Sequence, residues 1–339
     1  MSGPRVSVVV NNFNYERYLG EAVDSALAQD HGDVEVVVVD DGSTDGSADV
    51  VRAYGSRVVP VLKPNGGQGS AFNAGFAAAT GAVVIFLDAD DRLAPGAART
   101  VAAAFADDPA LASVQYRLRF IDGDGRSSGT TRPRRTGVLP SGELAPHVIR
   151  YRAYHWQPTT GNAYRASALA RILPMPEPDY RIEADAYLAE LVPFCGRIRG
   201  IDDVLGDYRV HGANNYRGAV TDAAYFRRKI KRIEAGHALV VERAPGLGWD
   251  HVPGSPHEAL DAPFMGFRLA SLRLDPENHP VAQDRRVALG VRGAYAAIAN
   301  RQLGSTKARC ARAAWLLGVA AAPSALARRM ITRWTPDAA

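Results

Sequence analysis

Val83-Val84-Ile85-Phe86-Leu87-Asp88-Ala89-Asp90-Asp91 decides how this chain is read. An apolar run, too short for a membrane span, stops at three carboxylates. β-Branched and aromatic residues with no polar alternation are what a strand buried on both faces of a parallel sheet requires. Carboxylates at its carboxyl end then lie on the lip of the sheet, where open α/β folds bind their ligands. If the pleat runs on through the motif, Asp88 and Asp90 point the same way. Two hard oxygen donors so spaced suit a divalent cation that also holds a diphosphate. A solvated turn capping the next helix would use the same residues, so the neighbouring segments carry the decision.

Upstream, three more short apolar runs alternate with helical stretches. Val6–Val10 predicts a first strand, followed by a helix near Tyr18–Gln29 with Leu19, Val23, Ala26 and Leu27 on one face. Val34–Val39 predicts a second strand ending at Asp40-Asp41, and a helix over Ser47–Tyr54 follows, capped by Ser43, Thr44 or Asp45. Val58–Leu62 is the third strand, and Lys63-Pro64-Asn65-Gly66-Gly67-Gln68-Gly69 opens a helix through Ser70–Ala79. This alternation predicts a parallel, doubly wound sheet with right-handed crossovers. Beyond Asp91, Pro95–Ala106 reads as a helix and Ala112–Ile121 as a strand. Asp122-Gly123-Asp124-Gly125 reads as a hairpin turn, and Arg126–Thr136 as a polar, mobile connection. From about Val220 the pattern is mostly helical to the end.

Composition sets the class. The chain has 339 residues, 47% hydrophobic and 22% charged, which fits an ordinary folded soluble protein of one large or two modest domains. A formal charge of +4 suits anionic substrates, a membrane surface or merely basic solvated faces. Two cysteines, Cys195 and Cys310, exclude a disulfide framework and a cysteine-built zinc site, and fit a reducing compartment. The opening residues lack the pattern of a signal peptide, so a cytoplasmic protein is expected. Ala313–Ala327 carries no charge and is flanked by Arg309, Arg312, Arg328, Arg329 and Arg333. It is too short to span a bilayer and is interrupted by Pro323. It reads either as an interfacial helix facing anionic lipid, peripheral at the inner face of a membrane, or as a helix packed on its own domain.

The polar ends of the strands carry the candidate chemistry. Asp40 and Asp41, at the end of the second strand, can accept from a base N–H or a ribose hydroxyl, and Gly42-Ser43-Thr44 supplies turn geometry. Asn11, Asn12 and Phe13 follow the first strand beside the same crevice, and Phe13 offers a face for a nucleobase. The Gly66–Gly69 loop has neither the spacing nor the Lys-Ser/Thr ending of a P-loop. Its glycines read as permitting close backbone approach.

Taken together, Asn11-Asn12-Phe13-Asn14, Val39-Asp40-Asp41-Gly42-Ser43-Thr44-Asp45, Asn73-Ala74-Gly75 and Leu87-Asp88-Ala89-Asp90-Asp91 resemble the nucleotide-sugar half of inverting family 2 glycosyltransferases. The resemblance covers residues 6–91 strongly and continues more loosely to about Asn215. It implies the GT-A fold: α/β, with a doubly wound, mostly parallel sheet flanked by helices, here carrying a helical C-terminal extension. The implied organisation is a glycosyltransferase domain over 1–215, with a donor half at 1–91 and an acceptor half at 92–215, then a mostly helical region over 216–339.

On this resemblance Asp88-Ala89-Asp90 is the Asp-x-Asp motif that binds manganese or magnesium. Asp90 is the direct ligand, and Asp88 contacts ribose or metal-bound water. Asp41 resembles the residue that meets the uracil or ribose, and Asn11 and Phe13 resemble donor-lining positions. The catalytic base is an aspartate opening a helix, for which Asp185 matches best. The acidic neighbour expected directly before it is displaced to Glu183, which stands as the alternative base. Pro158–Arg165 resembles the strand flooring the acceptor site, with Gly161 and Asn162 on it and Trp156 and Tyr154 near it for stacking on a sugar. In Asp207-Tyr208-Arg209-Val210-His211, Arg209 is placed to neutralise phosphate and His211 to complete the metal shell.

The implied activity is metal-dependent, inverting transfer of a sugar from a nucleotide diphosphate donor, with uridine as the expected base. The acceptor is a hydroxyl of a glycan, a lipid-linked glycan or a small molecule, in bacterial polysaccharide or glycosylated-metabolite synthesis, with no nucleic-acid partner. Two alternatives share the motifs in part. A sugar-phosphate nucleotidyltransferase would carry a glycine-rich basic loop after the first strand, and Asn11–Tyr18 is neither. A non-catalytic nucleotide- or glycan-binding module would lack the metal motif or the base.

Overall fold

The Val-rich run Val6–Asn12 forms β1, a strand buried on both faces, and the rest of the first ninety residues winds around it. The computed structural model describes residues 3–134, 137, 139–152, 154–212, 222–255, 257 and 259–333. After β1 come α1 (Glu16–Leu27), β2 (Val34–Asp40), α2 (Ser47–Ala53), β3 (Val59–Leu62), α3 (Gln68–Ala78) and β4 (Val83–Asp88). A two-residue strand, β5 (Arg92–Leu93), and α4 (Ala97–Asp107) follow. Then come β6 (Leu111–Ile121), β7 (Ser127–Arg132), α5 (Ala145–Tyr151), β8 (Asn162–Arg165), α6 (Ala166–Leu169), α7 (Ala184–Leu191) and β9 (Arg197–Arg209). The remaining helices are α8 (Ala223–Arg243), α9 (Ala262–Leu274), α10 (Arg286–Ala299), α11 (Thr306–Ala321) and α12 (Ser324–Thr332).

The strands form one sheet in the order β3-β2-β1-β4-β8-β6-β9-β5, with β7 on β6. β3, β2, β1 and β4 are all parallel, and the direction of winding reverses between β1 and β4. That switch point opens a crevice at the carboxyl ends of these two strands, where Asn11 is in register with Asp88. The second half is mixed: β8 runs antiparallel to β4 and β6, while β6 and β9 are parallel. The fold class is therefore α/β, as the alternation predicts.

One expectation is corrected. Ser127–Arg132, read as part of a mobile connection, is a strand paired antiparallel to β6. The Asp122–Gly125 turn closes the hairpin, with Asp122 N–H donating to Arg126 C=O (2.9 Å). Its mostly exposed, polar residues give no periodic apolar signal, because an edge strand is held by its backbone rather than by burial.

The described chain divides into two compact units. The first comprises Met1–Arg135, Leu139–Leu144 and Trp156–Gly212, and the second Thr136–Val138, Ala145–His155 and Ala213–Ala339. The boundary expected at 215/216 and the helix start near Val220 lie outside the described residues. The core of the first unit lines the inner sheet and α1 with Val8, Val10, Leu19, Val23, Val36, Ile85 and Leu87. On the other face Phe72 of α3 stacks on Phe86 of β4, ring centroids 4.2 Å apart. The second unit packs Phe226, Met265, Leu269, Leu316 and Val319. It also buries a chain from Ser271 through His279 and Asp284 to Arg268, with His279 Nε2 2.9 Å from Asp284. Ser271 is fully enclosed, so this serine, histidine and aspartate pin the connection between α9 and α10 onto α9.

Gly75 lets α3 lie directly on the sheet, since a side chain there would collide with Val9 and press on Val39. Gly75→Ala is expected to destabilise the protein by about 1–3 kcal/mol, the usual range for overpacking. Thermal or urea unfolding would measure it; an unchanged melting point would mean that α3 is loosely seated.

Candidate active site

The acidic ledge is built by a turn rather than by a pleat. β4 ends at Asp88, and the chain folds back so that Asp91 N–H donates to Asp88 C=O (3.0 Å). This turn, and not the alternation expected from sequence, places Asp88, Asp90 and Asp91 together. From β1, Asn11 Nδ2 donates to Asp88 Oδ1 (2.5 Å). From the turn before β8, Thr160 Oγ1 donates to Asp91 Oδ2 (2.6 Å) and accepts from Asp88 N–H (3.3 Å), while Thr159 hydrogen-bonds the Asp88 carboxylate. From the end of β9, Arg209 N–H donates to Asp91 Oδ1 (2.7 Å), and His211 Nε2 lies 2.9 Å from Asp90 Oδ2. His211 itself packs beside the rings of Tyr15 and Tyr18.

Electrostatics mark this ledge as short of positive charge. Burial, then the Asp90 and Asp185 carboxylates, push Asp88 up to about 7. Burial, Asp90 and Asp88 push Asp91 well above the usual carboxylate range. Burial and the same three aspartates also raise the Tyr15 hydroxyl. A divalent cation would reverse these shifts, because opposite charge favours the ionised carboxylates. The available donors are carboxylate oxygens and an imidazole nitrogen, which suit manganese or magnesium. Among the described residues no three His, Cys, Asp or Glu side chains are grouped so as to hold a metal ion by themselves.

Arg209 requires a correction. Expected to face phosphate, its side chain is fully buried and its guanidinium is committed within the protein. Nε donates to Asp90 C=O (2.7 Å), one terminal nitrogen reaches Asp122 and Gly123 C=O, and the other pairs with Glu21 Oε2 (2.6 Å). The Tyr18 ring stacks on it at 4.7 Å. An arginine so enclosed cannot reach a ligand; it fixes the backbone of the ledge.

The Asp40-Asp41 pair is likewise engaged in shaping the crevice. Asp40 accepts from Asn12 Nδ2 (2.7 Å) and Ser43 Oγ (2.5 Å). Asp41 accepts from Lys63 Nζ (2.6 Å), Asn65 Nδ2 (3.2 Å), Gly66 N–H (3.0 Å) and Gly67 N–H (2.7 Å). Asp41 thus organises the Lys63–Gly67 loop. Ser43 and Thr44 do not cap α2; its N-cap is Gly46, and the Asp45 carboxylate accepts from Ser47 N–H (3.0 Å). Asn11 and Asn12 each keep a buried, unpartnered Oδ1 beside this crevice, and Phe13 is 44% exposed at its rim.

The candidate base sits at the start of α7. Asp185 lies in the helix's first turn, half-buried, its Oδ1 accepting from Ala186 N–H (2.9 Å). Its carboxylate is near enough to Asp88 to raise that group's pKa. Glu183, the N-cap, adopts a left-handed backbone (φ 65°), uncommon outside glycine and asparagine and concentrated at functional sites. The segment before it docks on α3. Gln68 N–H donates to Arg181 C=O (2.9 Å) and Gly69 N–H to Tyr180 C=O (2.8 Å), and a side chain at Gly67 (φ 88°) would meet Arg181 Cα at 2.6 Å. The glycines of this loop serve close approach, as read from sequence.

Asn162 and Gly161 shape the acceptor-side turn. Asn162 Nδ2 donates to Gln157 and Pro158 C=O (2.9 and 2.8 Å), and a side chain at Gly161 would press on Gln157 Cβ (2.6 Å). Trp156 is half-buried next to them, and Tyr154 belongs to the second unit. Asn73 grips Met175 through both its backbone groups (3.0 and 2.9 Å).

Sequence reading missed Gln68, Thr159 and Thr160. Gln68 Oε1 accepts from Ala184 N–H (3.0 Å) while its Nε2 donates to Thr159 Oγ1 (3.4 Å). One side chain therefore spans from α7 to a residue holding Asp88. The only signal for it was its place at the mouth of the glycine-rich loop.

Comparison with known proteins agrees with this geometry. A profile of Glycosyl transferase family 2 matches residues 7–173. A protein of Nostoc sp. named as an uncharacterized glycosyltransferase is 39% identical over 222 residues, covering 64% of this chain and 68% of that one. Chondroitin synthase of Pasteurella multocida is 35% identical over 164 residues, which are 47% of this chain but only 17% of the synthase. Among solved structures, S. aureus TarS 1–349 in complex with UDP-GlcNAc superposes with a TM-score of 0.58 at 19% identity, covering 97% of this chain and 88% of that one. The mannosyltransferase PcManGT from Pyrobaculum calidifontis, in complex with GDP-Man and Mn2+, superposes with a TM-score of 0.51 at 21% identity, covering 97% and 84%.

Two outcomes test the ledge. Asp88 holds a raised pKa in the folded state, so between about pH 4 and 7 the native state binds more protons than the unfolded one, and stability falls as pH rises. Asp88→Asn is expected to raise the melting point of metal-free protein at pH 7.5 by about 2 °C, from roughly 1 kcal/mol, and to leave it unchanged near pH 4. A uniform loss at both pH values would show that Asp88 is needed for folding instead. Gln68→Ala is expected to lower kcat about tenfold with little change in nucleotide affinity, read by isothermal titration beside turnover. Equal losses in both would make Gln68 a general structural support.

Proposed function

Because this chain belongs to glycosyltransferase family 2, we propose that it transfers a sugar, with inversion, from a uridine diphosphate sugar to an acceptor hydroxyl at the ledge formed by Asp88 and Asp90. The observation that carries this reading is the electrostatic reach between Asp185 and Asp88. It sets a candidate proton acceptor beside a candidate diphosphate anchor, the two parts that single displacement needs.

Asp185 removes the proton of the attacking hydroxyl at a carboxylate oxygen. A carboxylate is a weak base in water, and holding the acceptor against it in a partly dry site makes it adequate. Its place in the first turn of α7 puts the carboxylate where a helix N-terminus favours negative charge. Gln68 and the Arg181 backbone fix α7 against α3, so the base keeps its bearing on the donor. Phe13 offers an exposed ring to the uracil, and the unpartnered Asn11 Oδ1 faces an unmet hydrogen-bonding need.

Asp90, Asp88 and His211 would hold a divalent cation. When bound, it offsets the charge that develops on the leaving diphosphate. UDP-GlcNAc in TarS and GDP-Man with Mn2+ in PcManGT support a nucleotide-sugar donor. The uridine assignment extends the first of these to this chain, and a bacterial glycan or glycosylated small molecule is the acceptor class proposed.

The test is nucleoside diphosphate release from a panel of nucleotide sugars and acceptors, with and without chelator. Asp185→Asn is expected to lose about 10²–10⁴-fold in kcat and keep nucleotide binding. Asp90→Ala is expected to lose nucleotide binding in manganese as well as turnover. Full turnover in Asp185→Asn with loss in Glu183→Gln would move the base to Glu183.

A further inference from the structure

From Arg285 to Arg333 the chain carries nine arginines, one lysine and no acidic residue. This stretch folds into α10, α11 and α12 of the second unit. One face of α10 is apolar and exposed: Val287 (61%), Val291, Tyr295 (58%) and Ile298 recur at intervals of four, four and three. At about 100° per residue they stay within roughly 80° of arc. On α11, Cys310, Ala314, Leu317 and Ala321 recur the same way at exposed positions. The opposite arcs are packed, with Gly290 against Ala320, and Gly293 against Leu316 and Met265 of α9. Those contacts join the start of α10 to the end of α11, so the helices run antiparallel. Reversing direction reverses the sense of rotation, and both exposed stripes then fall on one side of the pair, away from α9.

We infer that this face docks on the surface of an anionic lipid bilayer. Charge complementarity selects the partner: exposed Arg286, Arg292, Arg301 and Lys307 lie on the two striped helices or their connection, and the stretch has no carboxylate to oppose them. Tyr295, an aromatic ring with a polar tip among aliphatic residues, suits the headgroup boundary. A second copy would bring two strongly positive faces together. Nucleic acid would satisfy the arginines and leave the valine and isoleucine stripe uncovered. Among the described residues no helix is long and apolar enough to cross a membrane, so the contact is one of lying on the surface. Of the two readings of Ala313–Ala327, packing on its own domain is seen for one face, and the interfacial reading is carried by this inference. Pro323 splits the segment, one face of α11 packs inward through Leu316 and Val319, and the other is open.

The experiment is sedimentation of the full chain with sucrose-loaded vesicles of phosphatidylcholine alone, or with about 30% phosphatidylglycerol. At least about tenfold more protein is expected on the anionic vesicles, with the excess lost as salt rises from about 0.1 to 0.5 M. V291D/I298D and, separately, R301E/K307E are each expected to reduce binding about tenfold at an unchanged melting point. Equal binding to both vesicle types, no binding to either, or undiminished binding by both folded variants overturns the inference. So does a dimer, seen by light scattering without lipid, that V291D/I298D dissociates, because a second copy would then own the face.

Discussion

Mutual repulsion among three carboxylates at the end of β4 is the constraint on which the first unit is organised. Asp88, Asp90 and Asp91 are held together against that repulsion by hydrogen bonds from four directions: Asn11, Thr159 with Thr160, the Arg209 backbone, and His211. Arg209, fully buried, clamps the main chain at Asp90 and is itself neutralised by Glu21 of α1. A ligand of opposite sign at this ledge would favour the ionised carboxylates. The ledge lies at the switch point between β1 and β4, where the topology opens a crevice.

The second constraint is the position of the candidate base, Asp185, relative to that ledge. α7 is short and begins from a strained residue, Glu183, so its direction depends on what its N-terminus touches. Gln68 and the 66–69 loop provide that contact, and the loop is in turn ordered by Asp41. Arg181 reaches Asn65 Oδ1 (2.6 Å) and Gly66 C=O (3.2 Å), closing the connection from Asp41 to the base helix. Residues that resemble ligand contacts in sequence thus hold α7 and the acidic ledge in register. With family membership established, the nucleotidyltransferase and non-catalytic alternatives lose their footing.

Much of this was legible in the chain because burial writes a plain signal. β1, β2 and β4 are nearly unbroken Val and Ile runs, and each lies within two residues of its expected bounds. The carboxylates ending β4 stood out as polar residues where burial should have continued. What the sequence hid falls into two kinds. β7 is held by backbone hydrogen bonds at an exposed edge and carries no apolar period. Arg209, Asp41 and Asn162 are polar residues whose partners are far apart in sequence, so nothing local shows whether they face a ligand or the protein. Gln68 is the same case in reverse: a neutral residue at the start of α3 links α7 to Thr159.

The most direct test of the central claim is an anomalous difference map from crystals grown with manganese and uridine diphosphate. The account predicts a manganese peak about 2.2 Å from an Asp90 carboxylate oxygen, bridging to the diphosphate, with Asp185 facing the open side of the site. An ordered nucleotide with no manganese at Asp90, or with Asp185 directed away from it, would contradict the account.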